Sequence, residues 1–281
     1  MTTLNPGQAR RLLEVPAGAG WRVRGASIQG YGHLRDGLPC QDAYRHLAVP
    51  DALPENDVHV LAVADGAGSR PRSAEGAALA VGMATHLLSA RVAGHGVPTE
   101  ASAWRDLLRT AYLDLVADFR RAVTGVAGEA SVGEFATTLT VVVLAHPWLG
   151  VISIGDGFVV VRTDDGGDPQ FHLVSVALPV SEYANEAVFL TSQAAKEAVQ
   201  LDPLWDPAVS GVMIATDGLA QAALSYTQGI PCRPNRSFAE RLLLFVDDPC
   251  SDVAELPRLL LQDQLIRLSA DDKTFLVAVR T

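Results

Sequence analysis

Short runs of apolar, β-branched residues bounded by Gly, Asp and Pro recur along the chain, at roughly 44–49, 58–64, 138–145, 151–154, 158–162, 212–215 and 275–279. Runs of this length and composition read as strands. Few of them alternate cleanly between apolar and polar positions, which predicts sheets covered on both faces, by a second sheet on one side and by helices on the other. Two longer stretches, 73–92 and 103–123, carry Ala, Leu and Met at helical spacing, the first opened by Pro71 and Ser73, and predict two helices adjacent in sequence. From about 163 to 210 the pattern weakens into LPVSEYANEAVFLTSQAAKEAVQ. That stretch predicts a helical or irregular insertion, either a lid or binding loop or plain surface decoration. No internal repeat and no low-complexity tract divides the chain, so residues 1–281 read as one domain.

Three of the apolar runs lead straight into Asp-Gly: VLAVADG at Val60 to Gly66, VISIGDG at Val151 to Gly157 and VMIATDG at Val212 to Gly218. Asp-Gly suits a tight hairpin turn, and one copy would need no other explanation. The strand starting after Asp42 and the strand ending at Ala64 are separated by a short turn region, so an antiparallel hairpin would make Asp42 and Asp65 neighbours. The same reasoning sets Asp156 beside Thr137 and Thr138, and brings Asp271 or Asp272, just before the last strand, towards Asp217. Carboxylates gathered at one sheet edge repel unless a cation lies between them. An oxygen-only donor set without Cys or His clusters suits Mg²⁺ or Mn²⁺. Glycine at position 66 would let a backbone carbonyl approach such an ion. Two ions about 4 Å apart can activate a bridging water and support in-line displacement at phosphorus, so hydrolysis of a phosphate ester is the expected chemistry.

Composition narrows the picture. The 281 residues include 22 Lys+Arg and 32 Asp+Glu, a formal charge of −10, which argues against a general nucleic-acid or anionic-membrane binder. With 48% hydrophobic and 19% charged residues the chain has globular composition. Its first residues lack the apolar stretch of a signal peptide, and the most apolar region, 138–154, is broken by His146, Pro147 and Trp148. Cys40, Cys232 and Cys250 form no CxxC pair, which fits a reducing cytoplasm. They also fail the Cys-x5-Arg pattern of a thiolate phosphatase: Arg45 comes one residue early, and Phe238 and Leu256 stand where arginine is needed. The G-x-S-x-G elbow of a serine hydrolase is absent. GAGSRP has Pro71 where a dinucleotide-binding loop requires its third glycine.

Six motifs occur in an order that resembles the type 2C protein phosphatases, the metal-dependent Ser/Thr phosphatase class. They are Gln41-Asp42, VADGAGS (Val63 to Ser69), FATTLT (Phe135 to Thr140), SIGDG (Ser153 to Gly157), IATDG (Ile214 to Gly218) and DDKT (Asp271 to Thr274). The resemblance implies an α+β fold, a central β-sandwich of two antiparallel sheets flanked by pairs of helices, with the metal site at one end. It implies that the stretch at about 163–210 is the family's variable flap. It also implies hydrolysis of phosphoserine and phosphothreonine proteins by metal-bridged hydroxide, with two Mn²⁺ or Mg²⁺ ions and room for a third. Asp65, Asp217 and Asp271 would hold one ion, and Asp42, Asp65 and the Gly66 carbonyl the other, with Asp65 bridging. Asp156 would join the Asp217 equivalent in a weaker third site, or be only a turn residue, and Asp272 is the alternative to Asp271. The implied partners are phosphorylated proteins and a cognate Ser/Thr kinase, with no nucleic acid and no membrane, in a cytoplasmic signalling role.

Two departures stand out. The family's phosphate-docking Arg is missing, and Ala67 replaces the His that many members place after Asp-Gly to protonate the leaving alkoxide. Gly32-His33 followed by Gly37-Leu38-Pro39-Cys40-Gln41-Asp42 resembles a bacterial subgroup of the family. His33 is the candidate for either missing job, because imidazole can bind phosphate or donate a proton near neutral pH. Arg35 and Arg70 are further candidates for the phosphate grip, or surface charges. These departures also motivate an alternative: a catalytically weak phosphatase-like domain that binds a partner.

Overall fold

A computed structural model describes residues 20–50, 57–175 and 188–281. Among them the strands are β1 (Trp21–Ile28), β2 (Ala43–Ala48), β3 (His59–Ala64), β4 (Leu139–Ala145), β5 (Trp148–Ile154), β6 (Phe158–Thr163), β7 (Gln170–Ser175), β8 (Gln200–Trp205), β9 (Val209–Ala215), β10 (Leu224–Thr227), β11 (Ile230–Pro234) and β12 (Lys273–Arg280). The helices are α1 (Tyr31–Asp36), α2 (Ser73–His95), α3 (Ala101–Ala127), α4 (Ala195–Ala198), α5 (Ala220–Ala223), α6 (Arg236–Asp247), α7 (Glu255–Leu260) and α8 (Asp263–Leu268). One sheet runs β1-β12-β9-β6-β7 and the other β2-β3-β4-β5-β8, with β10-β11 as a separate ribbon. Every pairing within the two large sheets is antiparallel.

Alternate residues of each central strand enter different cores, which is why the in/out signal is missing from the sequence. On β3, Leu61 and Val63 face the space between the sheets with Val142, Leu144, Val151, Ile214 and Leu276. Val60, Ala62 and Ala64 face the opposite way, against α2 and α3, where Ala77, Ala80, Leu88, Trp104, Tyr112 and Phe119 cover them. On the far sheet, Phe158, Met213, Phe275 and Val277 pack under Leu242, Leu243 and Val246 of α6 and Leu256 and Leu260 of α7. Both faces of both sheets are thus apolar, giving the helix-sheet-sheet-helix layering expected. Small residues allow close approach where layers press hardest. A Cβ on Gly150 of β5 would lie 2.7 Å from the Trp104 ring, and one on Gly76 of α2 only 2.2 Å from the Phe135 carbonyl oxygen.

One expectation needs correction. The stretch after 163 is not a helical or irregular insertion at its ends. It supplies β7 as the edge strand of one sheet and β8 as the edge strand of the other, with the one-turn α4 between 188 and β8. Edge strands carry polar residues and, in β8, Pro203, so they lack the continuous apolar run that marks the central ones. The middle of the proposed flap, residues 176–187, lies outside the described residues.

Because stability resides in these interleaved cores, Leu144→Ala, between the sheets, is expected to cost about 2–5 kcal/mol. Trp205→Ala, at a side chain 58% exposed, is expected to stay within about 0.5 kcal/mol. Urea unfolding of both variants checks the contrast.

Candidate metal centre

None of the three Asp-Gly pairs is a hairpin turn. After Asp65-Gly66 the chain leaves β3 for α2, after Asp156-Gly157 it crosses from β5 in one sheet to β6 in the other, and Asp217-Gly218 opens a short 3-10 turn leading to α5. Each aspartate therefore stands just past the end of a central strand, at one end of the sandwich. Register explains their convergence. Ala43 of β2 pairs with Ala64 of β3, so Asp42 and Asp65 are the next residues at that edge. Leu139 pairs with Ile154, which carries Asp156 back towards Thr137 and Thr138. Phe275 pairs with Ala215, which brings the residues before β12 to Asp217.

Asp65, Asp156 and Asp217 each offer a carboxylate oxygen, and these oxygens lie within 4.8 Å of one another. The Asp65 backbone is fixed by β4: its N–H donates to the Thr138 hydroxyl at 3.0 Å, and its carbonyl accepts from the Thr138 N–H at 2.8 Å and the Thr137 hydroxyl at 2.9 Å. The Asp42 carboxylate lies beside that of Asp65 and accepts the Thr216 hydroxyl at 2.8 Å. Sequence reasoning misses Thr216, whose one signal is its place before Asp217 in IATDG. Gly66 sits where no side chain fits. A Cβ there would lie 2.7 Å from the Ser73 carbonyl carbon and 2.9 Å from the Gln41 carbonyl oxygen. Asp271 is close enough to raise the proton affinity of both Asp217 and Asp156.

Asp271 also lies in a second group with His33 and Asp272, whose donor atoms are within 4.8 Å of one another. Asp272, the alternative to Asp271, already has backbone partners. Its side chain is fully enclosed, its Oδ1 accepts the Gly30 N–H at 2.6 Å, and its Oδ2 accepts the Gln41 N–H at 2.6 Å. That Oδ2 is also 2.9 Å from His33 Nδ1. Asp272 thus ties together the start of α1, the loop before Asp42 and the start of β12. With Nδ1 against Asp272, His33 turns Nε2 towards the loop after Gly66, where a Cβ on Gly68 would lie 3.9 Å from Nε2 and 4.0 Å from Gln41 Oε1. Arg35 pairs with the adjacent Asp36 and is 66% exposed, so it reads as a surface charge. Arg70 is also exposed.

The electrostatics fit a cation. Burial raises the proton affinity of Asp42, Asp65, Asp156 and Asp217 above the ordinary carboxylate range, and neighbouring carboxylates add to the effect: Asp42, Asp217 and Asp156 act on Asp65, and Asp156, Asp271 and Asp42 on Asp217. Asp156 Oδ1 is buried and has no hydrogen-bond partner among the described residues. All-oxygen donors, an orphaned carboxylate oxygen and a glycine cradle suit a hard divalent ion.

Comparison with known proteins agrees with this picture. A family model described as protein phosphatase 2C matches residues 29–258. The chain is 31% identical over 214 residues to serine/threonine-protein phosphatase 3 of Escherichia coli K12, covering 76% of this chain and 79% of that protein. Among solved structures, the serine-threonine phosphatase 2C of Toxoplasma gondii superposes with a TM-score of 0.62 at 13% identity, covering 95% of this chain and 96% of the other. The serine/threonine phosphatase Stp1 of Staphylococcus aureus does so with a TM-score of 0.58 at 14% identity, covering 92% and 94%. At such identities the structural likeness speaks for the fold.

A carboxyl group that holds its proton more tightly in the folded than in the unfolded chain makes the native state bind more protons between the two pKa values. Stability then falls as pH rises through that window. Metal-free protein is therefore expected to melt at progressively lower temperature between about pH 5 and pH 8. Asp65→Asn should flatten this fall and melt at least about 2 °C above wild type at the upper end. Differential scanning calorimetry in EDTA tests this, and a lower melting point for Asp65→Asn would contradict the crowding of charge described here.

Proposed function

The chain belongs to the protein phosphatase 2C family and is a serine/threonine protein phosphatase, and from that premise we propose that the carboxylates at the end of the sandwich are its hydrolytic centre. The observation that carries this reading is the convergence of Asp65, Asp156 and Asp217, from three separate strand ends, on one small volume. Asp42, Asp65 and the Gly66 carbonyl would serve one ion, and Asp65, Asp217 and Asp271 the other. Together they would hold two Mn²⁺ or Mg²⁺ ions, and Asp156 with Asp217 a third. Divalent ions held there supply an activated water and neutralise charge on the phosphoryl group.

The protein's own part is arrangement. Thr137, Thr138 and Thr216 fix Asp65 and Asp42, and the strand frame keeps the carboxylates from spreading apart. His33 stands beside Gly68 and within reach of Asp271. His33 Nδ1 lies 2.9 Å from Asp272 Oδ2 without a well-formed hydrogen bond, and Nε2, on the side of Gly68, is the atom that would protonate the leaving seryl or threonyl oxygen, replacing the histidine absent at Ala67. The substrates are phosphoproteins made by a Ser/Thr kinase, and the composition supports a cytoplasmic setting.

Hydrolysis of a phosphothreonine peptide is expected to require added Mn²⁺ or Mg²⁺, to stop with EDTA, and to fall at least about 100-fold in Asp65→Ala, as measured by phosphate release. His33→Ala is expected to lower kcat about 10²-fold on the peptide and far less on p-nitrophenyl phosphate, whose leaving group needs no proton. An equal loss on both substrates, expressed in KM, would make His33 a phosphate-binding group. No loss on either would remove it from the site.

A further inference from the structure

Outward-facing residues of β12 alternate as Lys273, Phe275, Val277 and Val279, and the last three enter the apolar core beneath α6 and α7. A lysine at the first of these positions, only 2% exposed, is out of pattern. Burying an ammonium group is costly unless its hydrogen bonds are satisfied, so its partners show what the position is for. Lys273 Nζ donates to the Ser269 carbonyl at 2.8 Å and to the Asp271 carbonyl at 2.9 Å. Among the described residues it makes no ion pair with a carboxylate, although Asp42, Asp271 and Asp272 are all near enough to act on it through space. The charge is directed at the backbone of one loop.

That loop carries Asp271. Within it the Asp271 N–H donates to the Ser269 hydroxyl at 3.1 Å, and Asp271 Oδ1 accepts the Asp272 N–H at 2.8 Å. Its other side presses on the loop of Asp217: a Cβ on Gly218 would lie 1.8 Å from the Asp272 carbonyl oxygen and 3.5 Å from Lys273 Cγ. Two carbonyls pinned to one buried ammonium fix where Asp271 stands relative to Asp217. We propose that Lys273 is a positioning residue of the metal centre, clamping the 269–272 loop so that Asp271 is held in place for a divalent ion before the ion arrives. The proposal rests on the hydrolytic centre described above. It also predicts a sign. Removing a positive charge should by Coulomb's law favour a cation, whereas losing the clamp should weaken binding, and the geometry makes the clamp dominant.

The test is a calorimetric titration of the full-length, EDTA-stripped protein with Mn²⁺, comparing wild type with Lys273→Met, Lys273→Gln, Lys273→Arg and Asp65→Ala. Lys273→Met and Lys273→Gln are expected to raise the Kd for Mn²⁺ about tenfold or more at unchanged stoichiometry, the usual scale for loss of a group that orients a metal ligand. Lys273→Arg, which keeps donors at that depth, is expected to recover most of the affinity. A merely structural role would lower the folded fraction and therefore the stoichiometry, leaving Kd unchanged, and that result would overturn the proposal. So would tighter binding in Lys273→Met. Lys273→Gln provides the reading should Lys273→Met fail to fold. An isotherm lost in Asp65→Ala but unaltered in the Lys273 variants would overturn the clamp alone. Identical isotherms for wild type and Asp65→Ala would overturn the metal centre and the clamp with it.

Discussion

Mutual repulsion of carboxylates at the end of the sandwich is the constraint to which the rest of the structure answers. At about 5 Å and an effective dielectric constant of about 20, two full negative charges repel by about 3 kcal/mol. Three such pairs, as among Asp65, Asp156 and Asp217, would approach the whole stability of a typical domain, about 5–15 kcal/mol. The metal-free protein therefore keeps some of these groups protonated, in line with the raised proton affinities of Asp42, Asp65, Asp156 and Asp217. A bound divalent ion relieves the same repulsion by replacing the protons. Metal affinity in such a site rises with pH and is coupled to proton release. The three stacked cores are what make this tolerable, since Asp65, Asp156 and Asp217 each follow a central strand that is buried on both faces.

Neighbouring acids in the same loop have opposite fates. Asp272 is enclosed, yet two backbone N–H groups at 2.6 Å satisfy its charge, and it serves as a tie between α1, the Gln41 loop and β12. Asp271, one residue earlier, belongs to the field of carboxylates around Asp217. What separates them is their partners: Asp272 accepts the distant Gly30 and Gln41 N–H groups, whereas Asp271 accepts the N–H of the next residue and lies beside Asp217 and Asp156. Asp272 also lies 2.9 Å from His33 Nδ1, so His33 and the loop bearing a proposed ligand meet at one residue.

This distinction explains what the sequence reveals and what it conceals. The central strands and the pair α2 and α3 are legible because they are continuous apolar runs or long helical patterns. The meeting of Asp42 with Asp65 follows from hairpin geometry alone. Of the four edge strands, β1, β7 and β8 mix polar with apolar residues and carry no comparable signal, whereas β2 is read at 44–49. α6 does carry one, with Ala239, Leu242, Leu243 and Val246 on a single buried face. Adjacent Asp271 and Asp272 cannot be told apart by type, because their roles depend on N–H groups of Gly30 and Gln41, more than 200 residues away in sequence. Lys273 is concealed for the opposite reason. A lysine usually signals a solvated surface, and only its burial on the outward face of β12 exposes its role.

Against this background the alternative of a phosphatase-like domain that only binds partners fares poorly. Gln41, Ala67 and the missing arginine bear on the expected phosphate and leaving-group contacts, and none of them removes a strand-end carboxylate. The carboxylate cluster is different, because it carries a standing cost to folding. In a protein with no use for a cation, a single Asp→Asn exchange at position 65, 156 or 217 would relieve that cost without disturbing the fold. The chain keeps all three, together with Asp42 and Asp271, and adds a buried lysine whose hydrogen bonds steady the loop of the last. A scaffold gains nothing from either feature. A hydrolytic site needs its acidic groups held in place before the ion binds, and both features would serve that need.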